Sequence, residues 1–204
     1  MSEFDARART WDTDSQKVSR ARRVAEAIAE RVPGLSRMNV LEYGSGTGLL
    51  GFALRCRVAS MTLADNSREM TAVAREKIAV IGAANVSAVQ LDLTSGQTPD
   101  EQYDVVCTLL TLHHVQDVPA LLRKFHTLIA PAGYVCVADL DEEDGSFHGE
   151  GFGGHNGFRR ATMASWLTEA GFRDVHLESA FEIEKQTPAG VHRYPVFLAT
   201  ATRS

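Results

Sequence analysis

The chain has 204 residues, 44% of them hydrophobic and 23% charged, with a formal net charge of -5 from 26 acidic and 21 basic residues. A chain of this length buries roughly 70% of its unfolded surface, so one domain can fold without a disulfide or a structural metal. The acidic balance argues against a nucleic-acid partner, because phosphate backbones are held by clustered Lys and Arg. Lys17, Arg20, Arg22 and Arg23 do cluster, but Val18, Ala21, Ala25 and Ile28 share their stretch at helical spacing, the pattern of an amphipathic helix with a solvated face. No apolar stretch approaches the roughly 20 residues that span a bilayer. The opening MSEFDARARTWD lacks the apolar core of a secretory signal. Cys56, Cys107 and Cys136 form no CxxC pair, and the last two sit in apolar, strand-like runs. Scattered thiols of this kind fit a reducing compartment, so the cytoplasm is expected.

Along the chain, an amphipathic helix is expected over residues 15–31, closed by Pro33-Gly34. Strand-like segments follow over 38–43, 60–65, 86–91, 103–110 and 134–140, alternating with helical ones over 48–55, 67–81 and 119–129. Such alternation implies right-handed βαβ crossovers and a parallel sheet, and strands rich in Val, Leu and Ile are what burial on both faces requires. A Gly-rich loop over 145–157 leads to a helix over 161–170, stopped at Gly171. Two strand-like runs end the chain, over 175–183 and 191–201, joined through Pro188-Ala189-Gly190 as an antiparallel hairpin at the sheet edge. The expected fold class is α/β, a doubly wound, mostly parallel seven-stranded sheet with a C-terminal antiparallel hairpin.

The strongest chemical signal is VLEYGSGTG, residues 40–48. Gly44, Gly46 and Gly48 follow a strand and open a helix, where the lack of Cβ atoms permits a sharp turn and close approach of a ligand. Amides at the start of the helix can receive a carboxylate. The pattern GxGxxG occurs at Gly46, Gly48 and Gly51, but its register is wrong for a dinucleotide loop because the strand ends before Gly44. No GKS or GKT follows, which excludes a phosphate-binding NTPase loop.

VLEYGSGTG resembles the first motif of the class I S-adenosylmethionine-dependent methyltransferases, hydrophobic-hydrophobic-(Asp/Glu)-x-Gly-x-Gly-x-Gly. In that family the loop wraps the methionine portion of the cofactor, a role the resemblance gives to Gly44, Gly46 and Gly48. It makes Glu42 the acid that helps hold the ammonium end. Asp65 closes the second strand, where an acid accepts hydrogen bonds from ribose hydroxyls; capping of the next helix is the alternative. Asn66 and Met70 are weaker candidates for the adenosine pocket. Leu91-Asp92-Leu93 closes the third strand, and an Asp there accepts from the adenine amine in the family, so Asp92 and Leu93 join the cofactor set, with loop capping by Asp92 as the alternative. YDVVCTLLTLHHV (103–115) resembles the fourth-strand motif with its frequent double histidine, and LIAPAGY (128–134) the turn before the fifth strand. Together these matches cover roughly residues 38 to 140.

The resemblance implies a Rossmann-like methyltransferase fold, with a helical lid over 1–34, a cofactor-binding core over 35–140, and an acceptor loop, helix and hairpin over 141–204. It also implies S-adenosylmethionine as cofactor and in-line displacement onto an acceptor. Neither an NPPY-type nor a DPPY-type sequence follows the fourth strand, where Thr108-Leu109-Leu110-Thr111 stands instead. The tail resembles the quinone-biosynthesis-like branch, so a small-molecule acceptor is expected. The alternative is a non-catalytic protein that binds the cofactor and regulates or scaffolds a partner.

Acceptor-side candidates lie in DLDEEDGSFHGEGFGGHNGF, residues 139–158, which leaves the carboxyl end of the fifth strand. His148 and His155 are candidate catalytic bases, ordering of the loop being the alternative for each. The acids there read as a solvated rim. His113 and His114 are adjacent and expected to point apart, one packed and the other, His114, bordering the cofactor. No metal is expected. Trp11 is open to two roles, a lid over the site or a staple for the first helix.

Overall fold

The structure, a computed structural model, describes residues 3–187 and 190–204. Its parallel strands are β1 (Asn39–Tyr43), β2 (Ser60–Asp65), β3 (Val86–Gln90), β4 (Tyr103–Leu109) and β5 (Ile129–Leu140). β6 (Phe172–Thr187) and β7 (Gly190–Arg203) pair antiparallel to each other, and β7 runs antiparallel to β5. The seven-stranded order is β3-β2-β1-β4-β5-β7-β6. The order reverses between β1 and β4, so the crevice of the doubly wound sheet opens at the carboxyl ends of those two strands.

Six α-helices are described: α1 (Glu3–Arg7), α2 (Ser15–Arg31), α3 (Leu49–Leu54), α4 (Arg68–Ile81), α5 (Val118–Leu128) and α6 (Arg160–Glu169). Local chemistry fixes their starts. Asp14 Oδ1 accepts from the Gln16 amide at 2.9 Å at the head of α2, and Ser67 Oγ accepts from the Met70 amide at 3.1 Å at the head of α4. Asp117 Oδ1 does the same for α5 from Ala120, with Pro119 in the first turn. Gly82, in the left-handed region at φ 62°, ends α4.

Alternate strand residues enter opposite cores because successive side chains point to opposite faces. Val40, Val105 and Cys136 pack under α2, α3 and α4, with Ile28, Leu54 and Ala74. Leu41, Val106 and Val137 face α5 and α6, with Phe125, Leu128 and Leu167. Cys107 and Cys136 are buried register partners on β4 and β5 and behave as small apolar side chains, while Cys56 is exposed; all three are unpaired. Among the described residues no helix is long and apolar enough to cross a membrane.

Several boundaries differ from expectation. The LIAPAGY turn is a bulge inside β5: Tyr103 pairs with Ile129 and Val105 with Tyr134, so three extra residues loop out, with Ala132 at φ 63°. β3 stops at Gln90, short of Asp92. The final hairpin strands are longer than expected at both ends. Pro188 and Ala189 of the expected turn lie outside the described residues.

Phe125 is fully buried and meets Tyr43 edge-on at 5.4 Å. Phe125→Ala should cost about 3–5 kcal/mol, read as a lower denaturant midpoint; a loss below about 1 kcal/mol would contradict the packing described.

Candidate active site

The loop after β1 demands its glycines. Gly44, Gly46 and Gly48 take φ of 68°, 55° and 86°, a region that side chains with a Cβ rarely enter. A Cβ on Gly44 would lie 2.2 Å from Thr111 Cγ2, where the loops after β1 and β4 meet, and one on Gly48 would lie 2.6 Å from Leu63 Cδ1. A Cβ on Gly46 would meet nothing closer than Met70 Sδ and Trp11 Nε1, both at 3.9 Å. The middle glycine therefore faces a space bordered by α4 and the N-terminal segment.

Asp65 fixes this loop. Its Oδ2 accepts from the Gly46 amide at 2.7 Å and its Oδ1 from the Ser67 amide at 2.8 Å. Burial pushes its carboxyl above the usual range, opposed by those two amides and aided by the nearby Asp5. An ionised carboxylate has about four lone-pair sites, so two remain for hydroxyl donors. Met70 is buried beside the loop, whereas Asn66 is exposed at its rim, its carbonyl accepting from Gln90 Nε2.

Glu42 is 3% exposed, and its Oε2 accepts from the Gly51 amide at 2.7 Å. It lies beneath the loop and ties β1 to α3. Burial pushes it up to about 8, with the Gly51 amide opposing and Asp65 adding to the rise. Asp92 turns back on its own loop, accepting from the Thr94 amide and hydroxyl and from Ser95 Oγ, and these bonds hold its carboxyl below the usual range. That is the loop-capping geometry, reached because the strand ends two residues earlier. The Leu93 side chain is fully buried in the α5 core, and its amide donates to Tyr43 Oη.

The N-terminal segment lies across this region. Ser67 Oγ donates to Asp5 Oδ1 at 2.6 Å, and Asp12 accepts from Thr47 Oγ1 and from Lys77 Nζ. Trp11 approaches Gly46, with Lys17 Nζ 3.5 Å above its ring, and Phe4 meets His114 edge-on at 5.1 Å. Trp11 thus borders both the glycine loop and the first turn of α2.

The adjacent histidines do not point apart. They lie in a 3-10 turn, Leu112–His114, where strand alternation does not apply, and their ring centroids are 4.2 Å apart. His148 joins them at 5.0 Å from His113 and 5.3 Å from His114, stacked on Phe152 at 3.8 Å. Burial, with His113 and His148 alongside, pushes His114 down to about 4, so it is neutral at neutral pH. Behind them Asp139 is fully buried, not part of a solvated rim. Its Oδ1 sits 2.6 Å from His113 Nδ1, and its oxygens accept from the Leu112, His113 and Leu140 amides. Of the other acids in that run, Asp141 pairs with Arg160, Glu142 with Arg159, and Asp144 accepts from Ser146.

His155 takes a different position from His148. Its amide donates to the His113 carbonyl at 2.7 Å and its Nε2 is 2.9 Å from the Val115 carbonyl. The half-buried ring ties the loop to the end of the 3-10 turn through Nε2. Asp139 and His113 are the site residues the sequence did not single out. The available signal was position: Asp139, like Glu42 and Asp65, stands at the carboxyl end of a parallel strand.

A protein-family model described as a methyltransferase domain matches residues 17–177, and the chain belongs to that family. It is 35% identical over 130 residues to the biotin biosynthesis bifunctional protein BioCD of Bordetella avium, covering 60% of this chain and 26% of that one. It is 30% identical over 148 residues to a ubiquinone biosynthesis O-methyltransferase of Aeromonas salmonicida, covering 69% of this chain and 61% of the relative. The chain therefore spans less than two thirds of either relative. A SAM-dependent methyltransferase from Aquifex aeolicus superposes with a TM-score of 0.65 at 20% identity, over 88% of this chain and 89% of that one, a likeness of fold.

Two outcomes follow. Gly44→Ala should displace the loop against Thr111 and lower the melting temperature; an unchanged melt would contradict the contact. Between about pH 4.5 and about 8 the folded chain holds a proton on Glu42 that the unfolded chain has lost. Stability therefore falls as pH rises through that window, by at most about 1.4 kcal/mol per pH unit. Glu42→Gln keeps an acceptor for Gly51 and removes the proton, so its melting temperature should fall less over the window and exceed the wild type's at about pH 8. Parallel melting curves would contradict a buried, protonated Glu42.

Proposed function

We propose that the chain is an enzyme that transfers the methyl group of S-adenosylmethionine to the oxygen of a small-molecule acceptor. The observation that carries this is the left-handed Gly44-Gly46-Gly48 loop whose middle amide is held by Asp65. The open side of Gly46 suits a close-lying ligand, and the spare lone pairs of Asp65 suit a pair of ribose hydroxyls. When bound, S-adenosylmethionine supplies a methyl group already activated on a positively charged sulfur. The loop glycines hold its amino-acid end, Asp65 the ribose, and Met70 and Asn66 border the adenosine side. Glu42 supports the loop from beneath by fixing α3. Asp92 stands at the adenine end, where Oδ2 keeps a lone pair beside its bond from Ser95 Oγ, with Leu93 packing behind it.

His114, His113 and His148 form the acceptor-facing wall, His148 from the loop after β5 and the others from the turn after β4. His155 positions the loop that carries His148. The segment from Phe4 to Asp12 closes over the cleft, with Trp11 as its lid, and excludes water from the transfer. The relatives named O-methyltransferases support an oxygen acceptor. The net charge of -5 supports a small molecule over nucleic acid. Unpaired cysteines support a reducing compartment such as the cytoplasm.

The test is transfer of an isotopically labelled methyl group to a panel of phenols, carboxylic acids and amines. Transfer to an oxygen acceptor is expected, with His148→Ala lowering turnover at least tenfold while leaving S-adenosylhomocysteine affinity within about twofold. Asp65→Ala should instead weaken the cofactor by about 1–3 kcal/mol, the cost of unpaired buried donors. Cofactor bound without transfer to any acceptor would favour the regulatory alternative.

A further inference from the structure

We propose that His113, His114 and His148 together bind one divalent transition-metal ion of the zinc class, with Asp139 orienting His113. One ligand atom from each histidine lies within 4.8 Å of the others. Tetrahedral zinc with bonds of about 2.1 Å needs nitrogens about 3.4 Å apart, so shifts of about an ångström complete the set. The donors are imidazoles, which suit zinc, copper, nickel or iron; magnesium and calcium ask for several oxygen ligands, which this set does not offer.

Two features make this a built site rather than a chance meeting of rings. First, His113 carries the outer carboxylate that metal-binding histidines use. Asp139, accepting at His113 Nδ1 at 2.6 Å, fixes the proton on that nitrogen and turns Nε2 into the available donor. Asp139 is itself held by the Leu112, His113 and Leu140 amides. Second, the loop bearing His148 is tied down on both sides. Gln116 Nε2 donates to the Gly153 carbonyl at 2.6 Å, and the His155 amide to that of His113. On the other side Lys185 Nζ donates to the Phe147 carbonyl at 2.7 Å, and Ser146 Oγ lies 2.7 Å from Tyr194 Oη. His148 is exposed, which gives the ion a way in from solvent.

Three protein ligands leave a fourth position open, the arrangement of reactive rather than structural zinc. An acceptor hydroxyl bound there would release its proton to solvent near neutral pH, and the oxyanion would form the new C–O bond as the S–CH3 bond breaks and S-adenosylhomocysteine leaves, with no separate protein base. That last step rests on the methyl-transfer reading, whereas the metal site does not.

The experiment is a zinc titration of tag-free, chelator-treated full-length protein against a chromophoric competitor, with cobalt absorption spectra as a check on four-coordinate geometry. One equivalent should bind. His148→Ala should weaken it at least tenfold with an unchanged melting curve, and Asp139→Asn by roughly 10–100-fold. His176→Ala, on the far strand β6, should leave it unchanged. No stoichiometric zinc in the wild type, or equal affinity in His148→Ala, would overturn the proposal. Parallel titration with S-adenosylhomocysteine separates the two readings: its binding without zinc overturns the metal site alone, and zinc without it overturns the methyl-transfer reading alone.

Discussion

Three buried carboxylates at the carboxyl ends of parallel strands hold the site in place. Glu42 on β1 accepts from Gly51, Asp65 on β2 from Gly46 and Ser67, and Asp139 on β5 from Leu112, His113 and Leu140. Each is 9% exposed or less. A carboxyl group taken from water is costly unless it is hydrogen-bonded, and all three, Glu42 in its protonated form, meet that demand with backbone amides of the loops they organise. Position and chemistry are thereby linked: the three groups stand at strand carboxyl ends on or next to the two strands between which the order reverses, the side where ligands of open α/β sheets bind.

The carboxylates divide the work. Asp65 and Glu42 shape the glycine loop from its side and from beneath, whereas Asp139 shapes the turn after β4. Gly44 and Thr111 bring the two halves into contact, which leaves no room for a side chain at Gly44. Around this frame the N-terminal segment is attached by polar contacts, Asp5 to Ser67 and Asp12 to Thr47 and Lys77. Half-buried bonds of this kind contribute little each, so the segment is held more weakly than the core strands.

Much of the fold was legible in the sequence because both its periodicities are strong. Runs such as Val105-Val106-Cys107 announce a strand buried on two faces, and Asp14, Ser67 and Gly82 mark helix ends with residues that have few other uses. The glycine loop was legible because left-handed backbone leaves a direct trace in residue type. What was not legible depends on long-range contact. The gathering of His148 with His113 and His114 joins residues about 35 positions apart in sequence, and a 3-10 turn overrides the strand-like reading of adjacent histidines. Asp139 was hidden among surface acids because burial is not written in residue type. His155 and His148 look alike in a Gly-rich loop, and their different surroundings, the Val115 carbonyl for one and the ring cluster for the other, are set by long-range contact.

The most direct measurement is calorimetric titration of the full-length protein with S-adenosylhomocysteine, with NAD titrated in parallel. A strand-end acid at Asp65 suits any unmodified ribose, so the comparison rests on the glycine loop itself. The account predicts binding of S-adenosylhomocysteine near micromolar, about -8 kcal/mol, and none of NAD. Binding of NAD alone would contradict it, because the loop would then be cradling a pyrophosphate.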